Sequence, residues 1–413
     1  MFRGDKMNRV VITGMGTVNP IGLDVEETWT SIRKGQHGIS LASRIDPKHY
    51  KTKLAGEVKN FDPSSFIDRK EIRRMDLFSQ YALAASHQAL IDSHLEITKD
   101  NQYDIGVIVG SGSGGYVSME ENVLKLASKG PNKVEPFFHI KTPGNMAAAN
   151  IALNYHIKGP SMSIATACAS GTNAIGEAFL KIKTGQLSAC LAGGAEGTLS
   201  DSTYSGFSVL RAMSTNDDPD TAMRPFDKER DGFIPAEGAG ILMLESLASA
   251  EKRQAPIYAE IVGYGATTDA YHATAPDPSA ESAARAMSQA LDMAKVSPTE
   301  VSYINAHGTS TPLNDESETR AIKIAFGKES KKTAISSTKS YTGHMFGASG
   351  ALEALVSIKA INESFIPPTL GLYQPEFDLD FVPLNGRSQT INYALSNSFG
   401  FGGHNASLLF KKY

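Results

Sequence analysis

The chain has 413 residues, of which 40 are Lys or Arg and 44 are Asp or Glu, so its formal net charge is −4 and its pI about 6.2. Hydrophobic residues make up 41% and charged residues 20%, a composition that is typical of folded globular proteins and excludes disordered and fibrous classes. The slight acidic excess and the short charge runs argue against a protein that binds nucleic acid.

No segment of the sequence has the pattern of membrane insertion or secretion. The apolar runs, such as residues 241–244, fall far short of the roughly 18 residues that a membrane helix needs. Residues 1–6 carry charges, but no apolar core of signal-peptide type follows them. We therefore expect a cytoplasmic protein without a membrane partner.

Six short apolar segments are typical of buried strands, and they form two sets of three in chain order. Each segment of the first set is similar to its counterpart in the second, because both lead into a turn of small residues. The pairs are residues 9–16 with 259–265, residues 105–110 with 301–306, and residues 162–166 with 333–337.

A helix is predicted behind the third strand of each set, because apolar residues recur there on one helical face. These residues are Ile175, Phe179 and Ile182 in the first set, and Leu355, Ile358 and Ile361 in the second. Strands that alternate with helices favour an α/β fold with mostly parallel sheets covered on both faces. We interpret the chain as two related halves, residues 1–255, which hold the larger insertions, and residues 256–413.

Of the two cysteines, Cys168 has the surroundings of a nucleophile. It stands between a predicted strand and a predicted helix, among small residues that leave room for a substrate. Unpaired N–H groups at a helix N-terminus favour the thiolate, so we expect them to raise the nucleophile population at neutral pH. A buried structural cysteine is the alternative, and Cys190 fits that alternative better. The lack of a Cys-x-x-Cys pair argues against a disulfide scaffold or structural zinc.

Two of the ten histidines stand beside predicted strand ends. His307 follows the strand at 301–306, and His344 precedes the helix of the second half. Parallel sheets gather their ligand sites at the carboxyl ends of strands, so both residues are catalytic candidates alongside Cys168. Each histidine taken singly has a structural role as its alternative. The wide separation of the three residues in sequence argues against a compact metal site, and we expect no metal.

A competing pattern lies at residues 110–115, which satisfy G-x-G-x-x-G after a predicted strand. In dinucleotide-binding proteins an acidic residue follows about 20 positions later, at the end of a second strand. Residues 135–137 do not have that character. The glycine pattern alone is therefore a weak indication of a nucleotide site.

Four segments together resemble the signature blocks of the β-ketoacyl-acyl-carrier-protein synthases, and especially the bacterial elongating synthase II. They are residues 166–171 around Cys168, 305–312 around His307, 337–344 ending in His344, and 397–403. The similarity extends over almost the whole chain. It implies a duplicated thiolase fold layered αβαβα, a homodimer, and condensation of an acyl-enzyme with malonyl-acyl-carrier protein in fatty acid biosynthesis.

The resemblance also implies catalytic roles. Cys168 would attack the acyl thioester and carry the acyl group, which divides the reaction into two steps. His307 and His344 would hydrogen-bond the enolate that forms when the malonyl group loses CO₂. The backbone N–H groups of Cys168 and Phe401 would form the oxyanion hole. A histidine at position 344 favours an elongating synthase, because initiating synthases have Asn there.

Supporting and substrate-binding residues follow from the same resemblance. Lys339 and Glu353 would form an ion pair that orients the histidines, whereas without the resemblance they would be ordinary surface charges. The implied substrate contacts are Thr309, Thr311 and Thr274 for the phosphopantetheine arm, Phe399 with Phe401 as a mobile gate, and Ser113 in the acyl pocket. The enzyme itself would bind no cofactor, since the phosphopantetheine arrives on the carrier protein.

A set of basic residues matches positions that contact the acidic carrier protein in this family. The set consists of Arg69, Lys70, Arg73, Arg74, Lys129, Lys133 and Arg211. A basic patch of this kind would steer the encounter and weaken as salt rises. A solvated helix face is the alternative.

The sequence departs from the family pattern at two positions. Ser113 stands where synthase II often has a bulky aliphatic residue, and His404 stands where many members have Thr.

Three other interpretations of the function remain open. They are a synthase of type I, a silent partner subunit such as a chain-length factor, and a cysteine hydrolase. A silent partner would be expected to lack Cys168, and a hydrolase would have to admit water to its acyl-enzyme.

Overall fold

The computed structural model describes residues 7–413, and the segment used above to argue against a signal peptide, residues 1–6, lies outside the described residues. The strands are β1 (Val10–Val18), β2 (Ile39–Leu41), β3 (Leu54–Gly56), β4 (Ile105–Gly110), β5 (Ser161–Ile164), β6 (Ala189–Glu196), β7 (Gly238–Ser246), β8 (Ala259–Thr268), β9 (Val301–Asn305), β10 (Ala334–Ser336), β11 (Phe365–Ile366), β12 (Arg387–Ser388), β13 (Tyr393–Gly400) and β14 (His404–Lys411).

The helices are α1 (Val25–Arg33), α2 (Arg69–Ile72), α3 (Leu77–Ser93), α4 (Tyr116–Lys129), α5 (Phe138–Lys141), α6 (Met146–Tyr155), α7 (Ser170–Lys183), α8 (Asp201–Val209), α9 (Leu247–Lys252), α10 (Glu281–Ala294), α11 (Pro312–Phe326), α12 (Lys339–Thr342) and α13 (Ser349–Glu363). Within residues 7–413, none of them has both the length and the apolar character that crossing a membrane requires.

Ten strands form the main sheet, in the order β10-β9-β13-β14-β8-β1-β7-β6-β4-β5. A short antiparallel pairing of β1 with β8, which includes Val10 opposite Ile261, joins two half-sheets of five strands. Within each half-sheet, four strands point the same way and one, β7 or β14, runs against them. The prediction of mostly parallel sheets is therefore confirmed.

The two half-sheets repeat one strand order, β1-β7-β6-β4-β5 in the first and β8-β14-β13-β9-β10 in the second. Strands β1, β4 and β5 thus correspond to β8, β9 and β10, which are the three pairs that the sequence predicts. Strands β6 and β7, and their counterparts β13 and β14, were not among those pairs. The boundary proposed between residues 255 and 256 falls in the loop between α9 and β8, and the division into domains stays a prediction.

Helices cover both half-sheets and fill the space between them. Helices α3 and α6 pack on the outer face of the first half-sheet, and α10, with α11 beside it, packs on the outer face of the second. Helices α7 and α13 form the middle layer, and their predicted apolar faces share one core that includes Ile175, Phe179, Leu355 and Ile358. Each such side chain contributes about 1.5–3 kcal/mol on burial.

This layering brings the ends of distant segments together. The turn between β5 and α7 packs against β13 and against the turn that precedes α13. The loop after β9 and the hairpin between β13 and β14 border the same space. The site described next lies where these turns meet.

Candidate active site

Cys168 lies in a sharp turn between β5 and α7. The Ser170 hydroxyl closes the turn, because it accepts from the Thr166 N–H at 2.9 Å and donates to the Ala167 carbonyl at 2.6 Å. Ala167 has a φ of +49°, a left-handed conformation that is uncommon for a residue with a side chain. Such local strain is often found at functional sites. The turn leaves the Cys168 thiol partly exposed, on the wall of a cavity.

Two histidines of the second half lie beside this thiol. The Nε2 atom of His344 is 3.0 Å from the Sγ atom of Cys168, and the ring centroids of His307 and His344 are 5.5 Å apart. One nitrogen of each ring and the sulfur all lie within 4.8 Å of one another. The three residues thus form a compact cluster of side chains that could bind a metal, although they are far apart in sequence. The argument against such a cluster from their sequence separation was therefore wrong. The expectation that the site holds no metal stays a prediction.

Buried hydrogen bonds fix the position of each histidine. The backbone N–H groups of His307 and Gly308 donate to the Glu318 carboxylate at 2.8 and 2.7 Å. The Nδ1 atom of His344 lies 3.0 Å from the Oγ atom of Ser349, the first residue of α13. The side chain of His307 is held less firmly, because its Nδ1 atom has no hydrogen-bond partner among the described residues.

Both imidazoles are neutral at pH 7. Burial lowers the pKa of His307 and of His344 well below 6.5, and the positive charge of Lys339 lowers both further. A neutral imidazole still offers one N–H donor and one acceptor nitrogen. Each ring can therefore donate a hydrogen bond to a developing oxyanion without carrying a charge of its own.

The thiol of Cys168 is also neutral in the resting site. Burial raises its pKa to about 12, and this effect exceeds the lowering by the charge of Lys339 and by the N–H groups of Phe401 and Cys168 itself. The predicted effect of the helix N-terminus, a larger thiolate population, is therefore outweighed by burial. The dipole argument considered only the local turn, whereas the low polarity of the folded surroundings dominates.

Lys339 and Glu353 form a buried ion pair behind the histidines. The Nζ atom of Lys339, at the start of α12, contacts the Oε1 atom of Glu353 in α13, and both side chains are at most 3% exposed. They are therefore not ordinary surface charges, which was the alternative to the predicted ion pair. Burial raises the pKa of Glu353, and Lys339 opposes that shift. Because Lys339 also lowers the pKa of both histidines, the pair influences their protonation.

A cavity of about 520 Å³ opens in front of this cluster. Its lining includes all the predicted substrate contacts and both gate residues, together with one docking residue. These are Ser113, Thr274, Thr309, Thr311, Phe399, Phe401 and Arg211. The Oγ1 atoms of Thr309 and Thr311 are 2.8 Å apart, so this hydroxyl pair is available on the cavity wall.

The turn between β13 and β14 lies directly over the nucleophile. A Cβ atom at Gly400 would come within 2.7 Å of the Thr166 carbonyl oxygen, so only glycine allows this close approach. The Phe399 ring packs against His307 at 5.8 Å between centroids. Phe401 is 36% exposed and packs against Phe207 of α8 at 6.2 Å. The N–H of Phe401 reaches the Cys168 sulfur, as does the N–H of Cys168.

The predicted docking residues are all exposed, and most lie outside the cavity. Arg69 and Lys70 are in α2, with Arg73 and Arg74 immediately after it, and Lys129 ends α4. Lys133 follows in a short 3-10 turn. Arg74 differs from its neighbours, because it pairs with Glu71 at 2.9 Å and stacks over the Phe137 ring at 5.1 Å.

Three buried residues that hold the site were not predicted from the sequence. Ser349 binds His344, Glu318 binds the backbone at His307, and Glu196 accepts hydrogen bonds from residues 111–113 of the glycine-rich segment. Two N–H groups of the glycine-rich segment, those of Gly112 and Ser113, are therefore directed at a carboxylate of the protein itself. A signal was present for the acids, since Glu196 ends an apolar strand and Glu318 lies on the buried face of α11.

Comparison with known sequences places this site in a family. Residues 7–250 match the family described as Beta-ketoacyl synthase, N-terminal domain, and residues 258–373 match Beta-ketoacyl synthase, C-terminal domain. The chain belongs to the β-ketoacyl synthase family. The resemblance drawn from the four sequence segments is thereby confirmed, and the chain is an acyltransferase-class condensing enzyme.

Individual relatives agree with this assignment. The ketosynthase is 50% identical over 407 residues to a protein of Staphylococcus aureus (strain COL) named 3-oxoacyl-[acyl-carrier-protein] synthase 2, covering 98% of both chains. A β-ketoacyl synthase from Burkholderia phymatum STM815 has a similar structure, with a TM-score of 0.91, 35% identity, and coverage of 98% of this chain and 100% of that one.

A second solved structure is a ketosynthase bound to a hexaketide, in complex with a type II polyketide acyl-carrier protein. Its TM-score is 0.90 at 33% identity, with coverage of 98% of this chain and 100% of that chain. These similarities confirm the duplicated thiolase-type α/β fold. The roles of individual site residues stay predictions, which the geometry above makes specific.

Proposed function

We propose that this ketosynthase elongates acyl chains by two carbons, through decarboxylative condensation of an acyl-enzyme with malonyl-acyl-carrier protein. The observation that carries the proposal is the cluster itself. A thiol, two neutral imidazoles and two backbone N–H groups converge on one wall of an open cavity. This set provides a nucleophile, a proton acceptor and oxyanion donors within a few ångströms.

Acylation uses the contact between Cys168 and His344. As the sulfur attacks the acyl thioester, its proton moves to the Nε2 atom of His344, because the neutral thiol cannot attack efficiently. The oxygen of the tetrahedral intermediate accepts hydrogen bonds from the N–H groups of Cys168 and Phe401. The C–S bond to the carrier thiol then breaks, and that thiolate takes the proton from His344. The acyl group now resides on Cys168.

Condensation uses both histidines as donors. The malonyl carboxylate leaves as CO₂, and the electron pair of the broken C–C bond forms an enolate whose oxygen accepts hydrogen bonds from His307 and His344. The enolate carbon attacks the acyl carbonyl, and the resulting oxyanion collapses with release of Cys168 as a thiolate. One proton from water restores the thiol. Neutral imidazoles suit this role, because a charged ring would protonate the carbanion instead.

The substrate arm and its carrier fit the surroundings of the cluster. Thr309 and Thr311 present paired hydroxyls on the cavity wall, which suits the amides of a phosphopantetheine arm. The exposed basic residues described above would bind an acidic acyl-carrier protein, with Arg211 at the cavity itself. In this proposal the enzyme holds no cofactor of its own, because the reactive thioesters arrive on the carrier.

The enzyme would act as a homodimer in the cytoplasm. Strand β5 is at the edge of the ten-stranded sheet, where its unpaired backbone groups could pair with a second copy. Helix α4 also exposes apolar side chains that a second copy could cover, namely Tyr116, Met119, Val123, Leu124 and Leu126. A mass of two chains by light scattering is expected, and a monomer at micromolar concentration would contradict this part of the proposal.

The function is tested with purified carrier proteins. Acyl-carrier protein and malonyl-carrier protein are incubated with the enzyme, and a Cys168→Ala variant serves as the control. We expect one CO₂ for each 3-oxoacyl product, which is two carbons longer than the starting acyl group. Free fatty acid released without malonyl consumption would instead identify a hydrolase. A native enzyme that never becomes acylated would identify a silent partner subunit.

A further inference from the structure

Glu196, the last residue of β6, is completely buried beside the reactive cluster. Its Oε2 atom accepts from the N–H groups of Gly112 at 2.8 Å and Gly347 at 3.0 Å. Its Oε1 atom accepts from the Ser111 hydroxyl and the Ser113 N–H, both at 3.1 Å. No Lys, Arg or His among residues 7–413 forms an ion pair with it. The carboxylate is therefore held by four donors that are all neutral.

These four donors belong to two segments that line or support the cavity. Ser113 is on the cavity wall, in the turn between β4 and α4, and Gly347 is three residues after His344. The Glu196 carboxylate is tightly packed between these two segments. A Cβ atom at Gly347 would lie 2.8 Å from the Oε2 atom of Glu196 and 2.6 Å from the Gly112 nitrogen. Any displacement of the carboxylate would thus move the acyl-pocket wall relative to the His344 turn.

The charge of Glu196 also acts on the nucleophile. It raises the pKa of Cys168, which opposes the effect of Lys339. Hydrogen-bond donors favour the ionised carboxylate, although burial raises the pKa of Glu196 to about 7. The titratable groups that contact Cys168 or shift its pKa are His344 at 3.0 Å, His307, Lys339 and Glu196, while Asp231, Asp269 and Asp277 line the same cavity. Glu196 is the only acid among the groups that contact Cys168 or shift its pKa.

We propose that Glu196 is a positioning residue for condensation. It keeps the cavity wall at Ser113 and the turn at His344 in fixed positions relative to each other, and it places a negative charge beside Cys168. The proposal rests on the function proposed for Cys168 and His344. It assigns Glu196 no contact with substrate. It also accounts for two N–H groups of the glycine-rich segment, those of Gly112 and Ser113, because this internal carboxylate binds them.

The test compares Glu196→Gln with Glu237→Gln. Glu237 is also a buried acid that accepts a backbone N–H and has a pKa raised by burial to about 7, but it pairs with Arg44 and is not among the charges that shift the pKa of Cys168. Two rates are measured, condensation with both carrier proteins and alkylation of Cys168 by iodoacetamide between pH 7 and 10. A glutamine at 196 removes the charge, and its NH₂ group faces at least one backbone N–H however it is turned.

We expect Glu196→Gln to condense at least about tenfold more slowly and yet to alkylate faster. Its alkylation profile should move to lower pH by at least about half a unit, which is about threefold in rate at a fixed pH. Glu237→Gln should leave the alkylation rate at each pH unchanged. A purely structural role for Glu196 predicts slower condensation with an unchanged alkylation rate at each pH, and that result would overturn the proposal, as would unchanged condensation.

Glu196→Asp separates positioning from charge and serves if the Gln variant does not fold. The shorter side chain keeps the charge but cannot reach all four donors, so condensation should fall while the alkylation rate at each pH stays at the native value. Native rates of condensation in both variants would contradict the positioning role. The proposed function fails separately, because a native enzyme that does not condense at all would still give an interpretable alkylation profile.

Discussion

The Nε2 atom of His344 and the Sγ atom of Cys168 are 3.0 Å apart, although 176 residues separate them in the chain. Burial raises the pKa of the thiol and lowers that of the imidazole, so the resting pair is neutral. The proton can therefore move to the imidazole only as the substrate is attacked. This arrangement protects the sulfur from indiscriminate reaction and makes its reactivity depend on the shape of the site.

The two histidines should add little pH dependence to the condensation rate between about pH 8 and 6.5. The active histidines are neutral, and their pKa values lie well below 6.5 because of burial and the charge of Lys339. A protonated ring would deliver its proton to the carbanion, and this happens only when the pH falls below those values. In Lys339→Met the pKa of both rings rises, so the acidic loss of rate should begin at a higher pH. Single-turnover condensation measured across this range tests the shift.

Lys359→Met is the matched control for that pH profile. Lys359 is another largely buried lysine, paired with Glu26 at 2.9 Å and Glu363 at 3.2 Å, and it does not line the cavity. Its loss should leave the profile unchanged. An acid limb at the same pH in the native enzyme and in Lys339→Met would show that Lys339 does not set the protonation of the histidines.

Removing Lys339 should also destabilise the fold, because it leaves Glu353 buried without its partner. Breaking one half of a buried ion pair typically costs about 3–5 kcal/mol. The double variant Lys339→Met/Glu353→Leu should recover most of that loss, since it leaves no unpaired charge. Urea unfolding of the native protein, the single variant and the double variant gives the comparison. A double variant no more stable than the single would contradict the account of this pair.

The turn over the nucleophile should tolerate little loss of backbone freedom. Gly402 has a φ of +86°, which costs about 1–2 kcal/mol for a residue with a side chain. We expect Gly402→Ala to slow acylation of Cys168 by acyl-carrier protein several-fold, because the Phe401 gate depends on this turn. Gly185→Ala, at a φ of +73° outside the cavity, is the control for strain alone. Equal acylation rates in both variants would remove Gly402 from the gate.

Charge reversal in α2 should weaken recognition of the carrier protein selectively. For Arg69→Glu/Lys70→Glu we expect kcat/KM to fall about tenfold with acyl-carrier protein, equivalent to about 1.4 kcal/mol. With a small acyl-pantetheine thioester the value should not change, and the difference should shrink at high salt. Lys252→Glu, on the exposed end of α9, is the control. An equal loss with both substrates would indicate damage to the fold instead of lost docking.

Much of the fold could be predicted from local patterns. The strand pairs β1 with β8, β4 with β9, and β5 with β10 were visible because each is a short apolar run ending in small residues. The buried faces of α7 and α13 were visible because Phe179 and Ile358 recur with their neighbours at helical spacing. Such signals depend only on residues close in sequence, which is why a single chain reveals them.

The electrostatics of the site could not be predicted in the same way. The state of Cys168 depends on how completely the surrounding turns exclude water, and no local pattern reports that. Glu196 and Glu318 were likewise missed, because their donors come from segments far away in the chain. The family resemblance located the reacting groups, but the folded structure was needed to show which carboxylates hold them in place.

The most direct test of the account identifies the residue that carries the acyl group. The enzyme is incubated with acyl-carrier protein alone, digested at low pH and examined by mass spectrometry, and a second sample is first chased with malonyl-carrier protein. We predict one acyl group, on the peptide that contains Cys168, which disappears in the chase as 3-oxoacyl product forms. An acyl group on Cys190, or on no cysteine while product still accumulates, would contradict the central claim.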